Sequence, residues 1–270
     1  MDRTFYHLLI ILFIVLFPVT VGVASERSSD DFLKKEFEGK NGGILPYRIL
    51  YPENYNPDQQ YPLLLFLHGA GEKGNDNKKQ LIHGSSMFLE PENRNNFPAF
   101  VVFPQCPEDG WWIDLSQRQA LDDDPDLQES VQFPASNPMK LVLELLDQLT
   151  SDLNVDNNRL YVMGLSMGGY GTFDLLSRRP EWFAAAVPIC GGGNTGLAER
   201  YAPHTSLWVF HGEEDNVVPA ELSRNMVKAI EEAGGDIKYT EYKGVGHNSW
   251  DPAFAEEDLL PWIFDQKRKK

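Results

Sequence analysis

The sequence predicts a mostly parallel, doubly wound α/β sheet with helices on both faces. Three observations predict it. Short apolar runs of strand length recur along the chain, amphipathic stretches of helix length separate them, and several runs end in glycine-rich turns. Regular alternation of strand and helix is the signature of parallel β-α-β units.

In order, residues 28–43 are polar and charged, and residues 44–51 alternate apolar and polar positions as an edge strand would. Residues 52–60 supply turn chemistry through Pro52, Asn54, Pro57 and Asp58. Residues 63–67 are uninterrupted apolar, which suits a strand buried on both faces. Strands are then expected at 99–103, 160–163, 183–189, 206–210 and 237–242, with helices at 139–153, 168–176, 219–233 and 258–266. The stretch 104–138 lacks clear periodicity and reads as a surface excursion, whose Trp111 and Trp112 either line a substrate cleft or cover a core edge.

Composition narrows the class. A chain of 270 residues with 42% hydrophobic residues builds one substantial core, so a single domain is expected over residues 25–270. The net charge of −16 opposes binding to a phosphate backbone, and no nucleic-acid partner is expected. The basic end, Lys267 to Lys270, reads as a solvated terminus. Arg3, the apolar run 8–17 and the small residues Gly22, Ala24 and Ser25 have the layout of a signal peptide over residues 1–24, with an uncleaved anchor as the alternative, so the protein is expected to be secreted or periplasmic. Cys106 and Cys190 are the two cysteines; they either pair or remain buried thiols. No C-x-x-C or clustered His/Cys/Asp spacing is present, and no metal site is expected.

The chemistry concentrates in Gly164-Leu165-Ser166-Met167-Gly168, a G-x-S-x-G between an expected strand and an expected helix. That context makes Ser166 a candidate nucleophile on a strained turn, where flanking side chains would crowd the neighbouring strand and helix. A serine hydroxyl needs a base, and among six histidines His247 follows the last expected strand in a glycine-flanked loop, with His204 the replacement. An acid is expected between serine and histidine in chain order, and Asp215 in His211-Gly212-Glu213-Glu214-Asp215 is favoured over Glu213 and Glu214. Backbone N–H groups of Ala70 and Met167 are the expected oxyanion donors. Trp112 and Trp250 are expected to contact substrate.

Together Leu67 to Gly74, Gly164 to Gly169, Pro188 to Gly193 and His211 to Asp215 resemble the exported phospholipase/carboxylesterase and dienelactone-hydrolase-like esterases, relatives of the acetyl and feruloyl esterases. The resemblance covers about residues 45–264 and implies an α/β-hydrolase fold, a serine triad and an oxyanion hole. It implies a carboxylic ester hydrolase working through an acyl-enzyme on a small-molecule or carbohydrate-linked ester, with no cofactor and no obligate protein partner. The alternative is a serine peptidase or amidase of the prolyl oligopeptidase type, although no β-propeller segment is read in these residues. Dienelactone hydrolases proper carry a cysteine where this chain has Ser166.

Overall fold

The apolar run around Leu65 lies inside an eight-stranded sheet in the computed structural model, which describes residues 28–124 and 132–269. The strands are β1 (Leu33–Glu38), β2 (Ile44–Leu50), β3 (Tyr61–Leu67), β4 (Phe100–Pro104), β5 (Val155–Leu165), β6 (Ala185–Ile189), β7 (Ser206–Gly212) and β8 (Ile237–Tyr242). Their spatial order is β1-β2-β4-β3-β5-β6-β7-β8. β2 runs antiparallel to both β1 and β4, and every later pairing is parallel. The helices are α1 (Pro91–Asn96), α2 (Leu115–Asp123), α3 (Asn137–Asp152), α4 (Met167–Arg178), α5 (Ala220–Glu232), α6 (Trp250–Phe254) and α7 (Leu259–Asp265). This is the α/β-hydrolase arrangement.

The continuous apolar run of β3 follows from its place in the middle. Leu63, Leu65 and Leu67 point to one face and belong to a core that also holds Val142 and Leu146 of α3, Phe173 and Leu176 of α4, and Met226 of α5. Leu64 and Phe66 point to the other, where Phe66 stacks on Phe103 and the same core holds Phe88 and, from α7, Leu259 and Ile263. All seven β3 side chains are buried, so two cores share one strand.

The structure departs from the expectation at the amino-terminal side. Residues 44–50 form the second strand, and the edge is β1, which the polar stretch 28–43 conceals. Only Phe37 of β1 is buried, so the segment shows no apolar alternation; its Lys34, Lys35, Glu36 and Glu38 leave a charged edge that discourages pairing with other chains. The excursion contains α2, whose amino end is capped by the Asp114 carboxylate accepting from Ser116 N at 2.9 Å. Leu121 of α2 packs on Tyr170, Val218 and Leu222, which brings the excursion over the carboxyl ends of the strands. The leader expected at 1–24 lies outside the described residues. Among the described residues no helix is long and apolar enough to cross a membrane. Cys106 and Cys190 are both free and buried.

Candidate active site

β5 delivers Ser166 onto a turn that only a glycine framework allows. Ser166 has φ +52° and ψ −116°, a conformation that disfavours L side chains. Its N–H donates to Ile189 O at 2.9 Å, which ties the turn to β6. A Cβ on Gly164 would lie 2.2 Å from Gly168 O, and one on Gly168 would lie 1.8 Å from Leu67 O. The two glycines of the motif therefore let the turn close and let the first turn of α4 rest on the end of β3. Ser166 makes no capping bond to its own helix, and its Oγ lies 2.9 Å from His247 Nε2 instead.

His247 and Asp215 arrive on two loops joined at their bases. Glu213 N donates to Tyr242 O at 3.0 Å and Glu214 N to Val245 O at 2.9 Å. A Cβ on Gly212 would lie 2.2 Å from Gly246 O, so glycine is what permits this approach. His247 Nδ1 then reaches Asp215 Oδ2 at 2.7 Å. The other carboxylate oxygen accepts from Val217 N and Val218 N, each at 2.9 Å. Burial pushes the Asp215 carboxyl up, but donation from His211, His247 and the two backbone N–H groups outweighs it and holds the group well below the usual carboxylate range. Glu213 and Glu214 are exposed and stay outside this cluster, Glu213 accepting from Gly244 N at 3.1 Å.

Ser166, His247 and Asp215 are thus brought together at the carboxyl ends of β5, β8 and β7. His204 precedes β7 and so lies toward the opposite ends of the strands. Ala70 opens the single helical turn after β3, is exposed, and follows Gly69, whose missing Cβ would lie 2.8 Å from Leu165 Cδ1. Met167 is the first residue of α4, where backbone N–H groups have no acceptor within the helix.

The two tryptophans part company. Trp250 is partly buried with its ring edge-on to His247 at 5.3 Å. Trp112 corrects the expectation of substrate contact: it is fully buried and its Nε1 donates to His68 O at 3.0 Å. Gly171 of α4 backs onto it, with a missing Cβ 2.7 Å from Trp112 Cβ. The hydrophobic bulk of its ring belongs to the core, and its polar edge to the strand end before Ala70.

Two histidines that end strands before a glycine, His68 and His211, prove to be structural parts of the site. His68 Nδ1 lies 2.6 Å from Gly69 O and its Nε2 accepts from Cys106 N at 2.9 Å. Burial pushes it down to about 4, so it is a neutral brace for the loop that carries Ala70. Their shared position at strand ends was the available signal. Among the described residues, Cys190, Asp215 and His247 offer ligand atoms within 4.8 Å of one another. Burial pushes the Cys190 thiol up to about 12, which disfavours the thiolate a metal needs. A cavity of about 680 Å³ lined by Tyr61, Arg159, Lys238 and Trp262 opens near the strands' amino ends, away from Ser166.

Comparison with known proteins bears on the fold and the family. The crystal structure of a thermostable esterase superposes with a TM-score of 0.79 at 40% identity, over 88% of this chain and 64% of that one. A bifunctional acetylxylan esterase/xylanase of Neocallimastix patriciarum is 32% identical over 193 residues, 72% of this chain and 25% of that protein. A protein named probable feruloyl esterase C, from Aspergillus flavus, is 27% identical over 177 residues, 64% of this chain and 56% of that one. The chain thus spans from a quarter to just over half the length of these two curated relatives. The model of the dienelactone hydrolase family matches residues 113–258, a span that contains Ser166, Asp215 and His247 and exceeds half of the 270 residues; the chain belongs to that family.

Proposed function

We propose that this protein is a serine-dependent carboxylic ester hydrolase that works through an acyl-enzyme. The observation that carries the reading is the continuous contact Ser166 Oγ–His247 Nε2 at 2.9 Å and His247 Nδ1–Asp215 Oδ2 at 2.7 Å. Asp215 accepts from Nδ1–H, which leaves the Nε2 lone pair facing the serine hydroxyl. Ser166 Oγ attacks the ester carbonyl while Nε2 takes its proton. The tetrahedral oxyanion is met by the N–H groups of Ala70 and Met167, and His247 returns the proton to the departing alcohol. Water, deprotonated by the same imidazole, then releases the acid.

The substrate class proposed is an acetyl or feruloyl ester borne by a polysaccharide fragment, a reading supported by the names of the relatives and by Trp250 beside the base. Export through the leader at residues 1–24 is proposed on its composition. The test is hydrolysis of p-nitrophenyl acetate, methyl ferulate and acetylated xylan by the wild type beside Ser166→Ala, for which a loss of about 10⁴-fold or more is expected. Turnover that survives the substitution would reject the nucleophile, and cleavage of peptide p-nitroanilides alone would reject the ester class.

A further inference from the structure

Glu72 closes the helical turn that Ala70 opens, and the ester-hydrolysis scheme leaves its carboxylate without a role. The side chain is only 9% exposed, a setting in which carboxylates are normally held by hydrogen bonds. Here, among the described residues, no hydrogen-bond donor reaches either carboxylate oxygen, and the ion-pair partner, His83 Nε2, stands 3.7 Å from Oε1, too far for a hydrogen bond. Lys73, the next residue, is turned instead to the ring of Trp111, 5.4 Å from its centroid. The His83 ring is 32% exposed and likewise makes no hydrogen bond among the described residues. A carboxylate and an imidazole thus stand side by side, both placed to meet polar groups brought by a ligand.

Their surroundings place them on one side of the candidate active site. A Cβ on Gly69, the residue before Ala70, would lie 3.0 Å from Glu72 Oε2 and 2.8 Å from Leu165 Cδ1, so the carboxylate adjoins both the loop that carries Ala70 and the residue before Ser166. His83 lies against Trp250 with ring centroids 5.3 Å apart, and Trp250 lies against His247 at the same separation of 5.3 Å. Glu72, His83 and Trp250 therefore form one row that runs from the Ala70 loop to His247. In the proposed scheme His247 returns a proton to the departing alcohol, so the part of the substrate that meets this row is the alcohol and not the acyl group.

We propose that Glu72 and His83 are specificity-determining residues that bind neighbouring hydroxyl groups of the substrate's alcohol, which makes that alcohol a sugar. This rests on the reading of Ser166, His247 and Asp215 as a hydrolytic triad. A carboxylate accepts from a hydroxyl, and an imidazole nitrogen bonds a hydroxyl as donor or as acceptor, so adjacent hydroxyls on one sugar ring satisfy both side chains together. The indole of Trp250 gives the apolar face of the same ring a surface to rest on. An alkyl or aryl alcohol brings no donor and would cover the carboxylate without replacing the water it displaces, which is costly. The discrimination comes from that difference, while the bond-breaking chemistry is common to both kinds of ester.

Two acetyl esters test this on the full chain: p-nitrophenyl acetate, whose alcohol carries no further hydroxyl, and acetylated xylobiose. Both transfer the same acetyl group, so the ratio of kcat/KM on the sugar ester to kcat/KM on the aryl ester reports the alcohol side alone. In Glu72→Leu, and in His83→Phe, which keeps a ring against Trp250, the ratio is expected to fall about tenfold or more, the effect of a hydrogen bond lost without replacement. Glu72→Gln, which retains one accepting oxygen, is expected to fall between Glu72→Leu and the wild type. An unchanged ratio in variants with normal melting transitions overturns the proposal, and so do rates that fall equally on both esters, the mark of a purely structural role. If Glu72→Leu does not fold, Glu72→Gln and His83→Phe still decide. A wild type that cleaves p-nitrophenyl acetate through Ser166 but disfavours acetylated xylobiose overturns this proposal and leaves the hydrolase reading standing. Failure of that reading is seen separately, as cleavage that survives Ser166→Ala.

Discussion

Replacing Asp215 by Asn changes one oxygen for an amide nitrogen, and the surroundings dictate which way the amide faces. Val217 N and Val218 N both donate to Oδ1 at 2.9 Å, so the amide carbonyl must take that side and the NH₂ group must face His247 Nδ1, now 2.7 Å from Oδ2. Two donors cannot share that contact, so His247 adopts the tautomer with its hydrogen on Nε2. That hydrogen points at Ser166 Oγ across 2.9 Å, where the base needs a lone pair. A wrong tautomer in an otherwise intact triad lowers kcat by about 10⁴, or about 5.5 kcal/mol of transition-state stabilisation. Initial rates on p-nitrophenyl acetate, with fluorophosphonate labelling and a thermal melt as controls, measure it. A folded Asp215→Asn protein within tenfold of the wild type would refute the hydrogen-bond reasoning.

The same carboxylate predicts a pH dependence of stability. Its folded pKa lies below the unfolded one, so the stability it adds is fully present above about pH 4 and is lost as the pH falls further; urea titrations should show the gap between wild type and Asp215→Asn narrowing below that pH. Gly168→Ala sets a Cβ 1.8 Å from Leu67 O, a backbone atom that cannot swing aside, and denaturant melts should show a loss of about 3 kcal/mol or more. Trp112→Phe removes the bond to His68 O and should lower stability by about 1–3 kcal/mol with KM nearly unchanged, whereas Trp250→Ala should raise KM with little effect on the melt; the reverse pattern would restore Trp112 to the substrate surface. Cys190, buried with its thiol pushed up to about 12, should resist iodoacetamide until the protein is unfolded, as mass spectrometry of the labelled peptide will report.

Much of this was legible because the governing patterns are local. The uninterrupted apolar run in β3 announces burial on both faces, and the G-x-S-x-G motif announces a turn that brings Gly164 and Gly168 within van der Waals range of their neighbours. Placement after expected strands, together with the order serine, acid, histidine, pointed to Asp215 and His247. What escaped depended on contacts distant in sequence. β1 hides because an exposed edge strand buries one side chain in six. Trp112 was misread because its partners, His68 and Gly171, lie 44 and 59 positions away, and nothing local separates a buried indole from a cleft-lining one. His211 looked like a strand terminator because its meaning lies in Ser223 and Asp215, on two other segments.

The bonds between the loops after β7 and β8 divide the molecule's tolerance for change. Asp215 and His247 ride on segments fastened to each other by Glu213 N–Tyr242 O and Glu214 N–Val245 O, so an insertion in either is expected to shift the contact between them. Helix α2 meets the same end of the sheet through an apolar cluster that holds Leu121, Tyr170 and Val218. Substitutions on the exposed face of α2 are therefore expected to leave the Ser166–His247–Asp215 contacts in place, whereas insertions beside Gly212 or Gly246 are expected to disturb them.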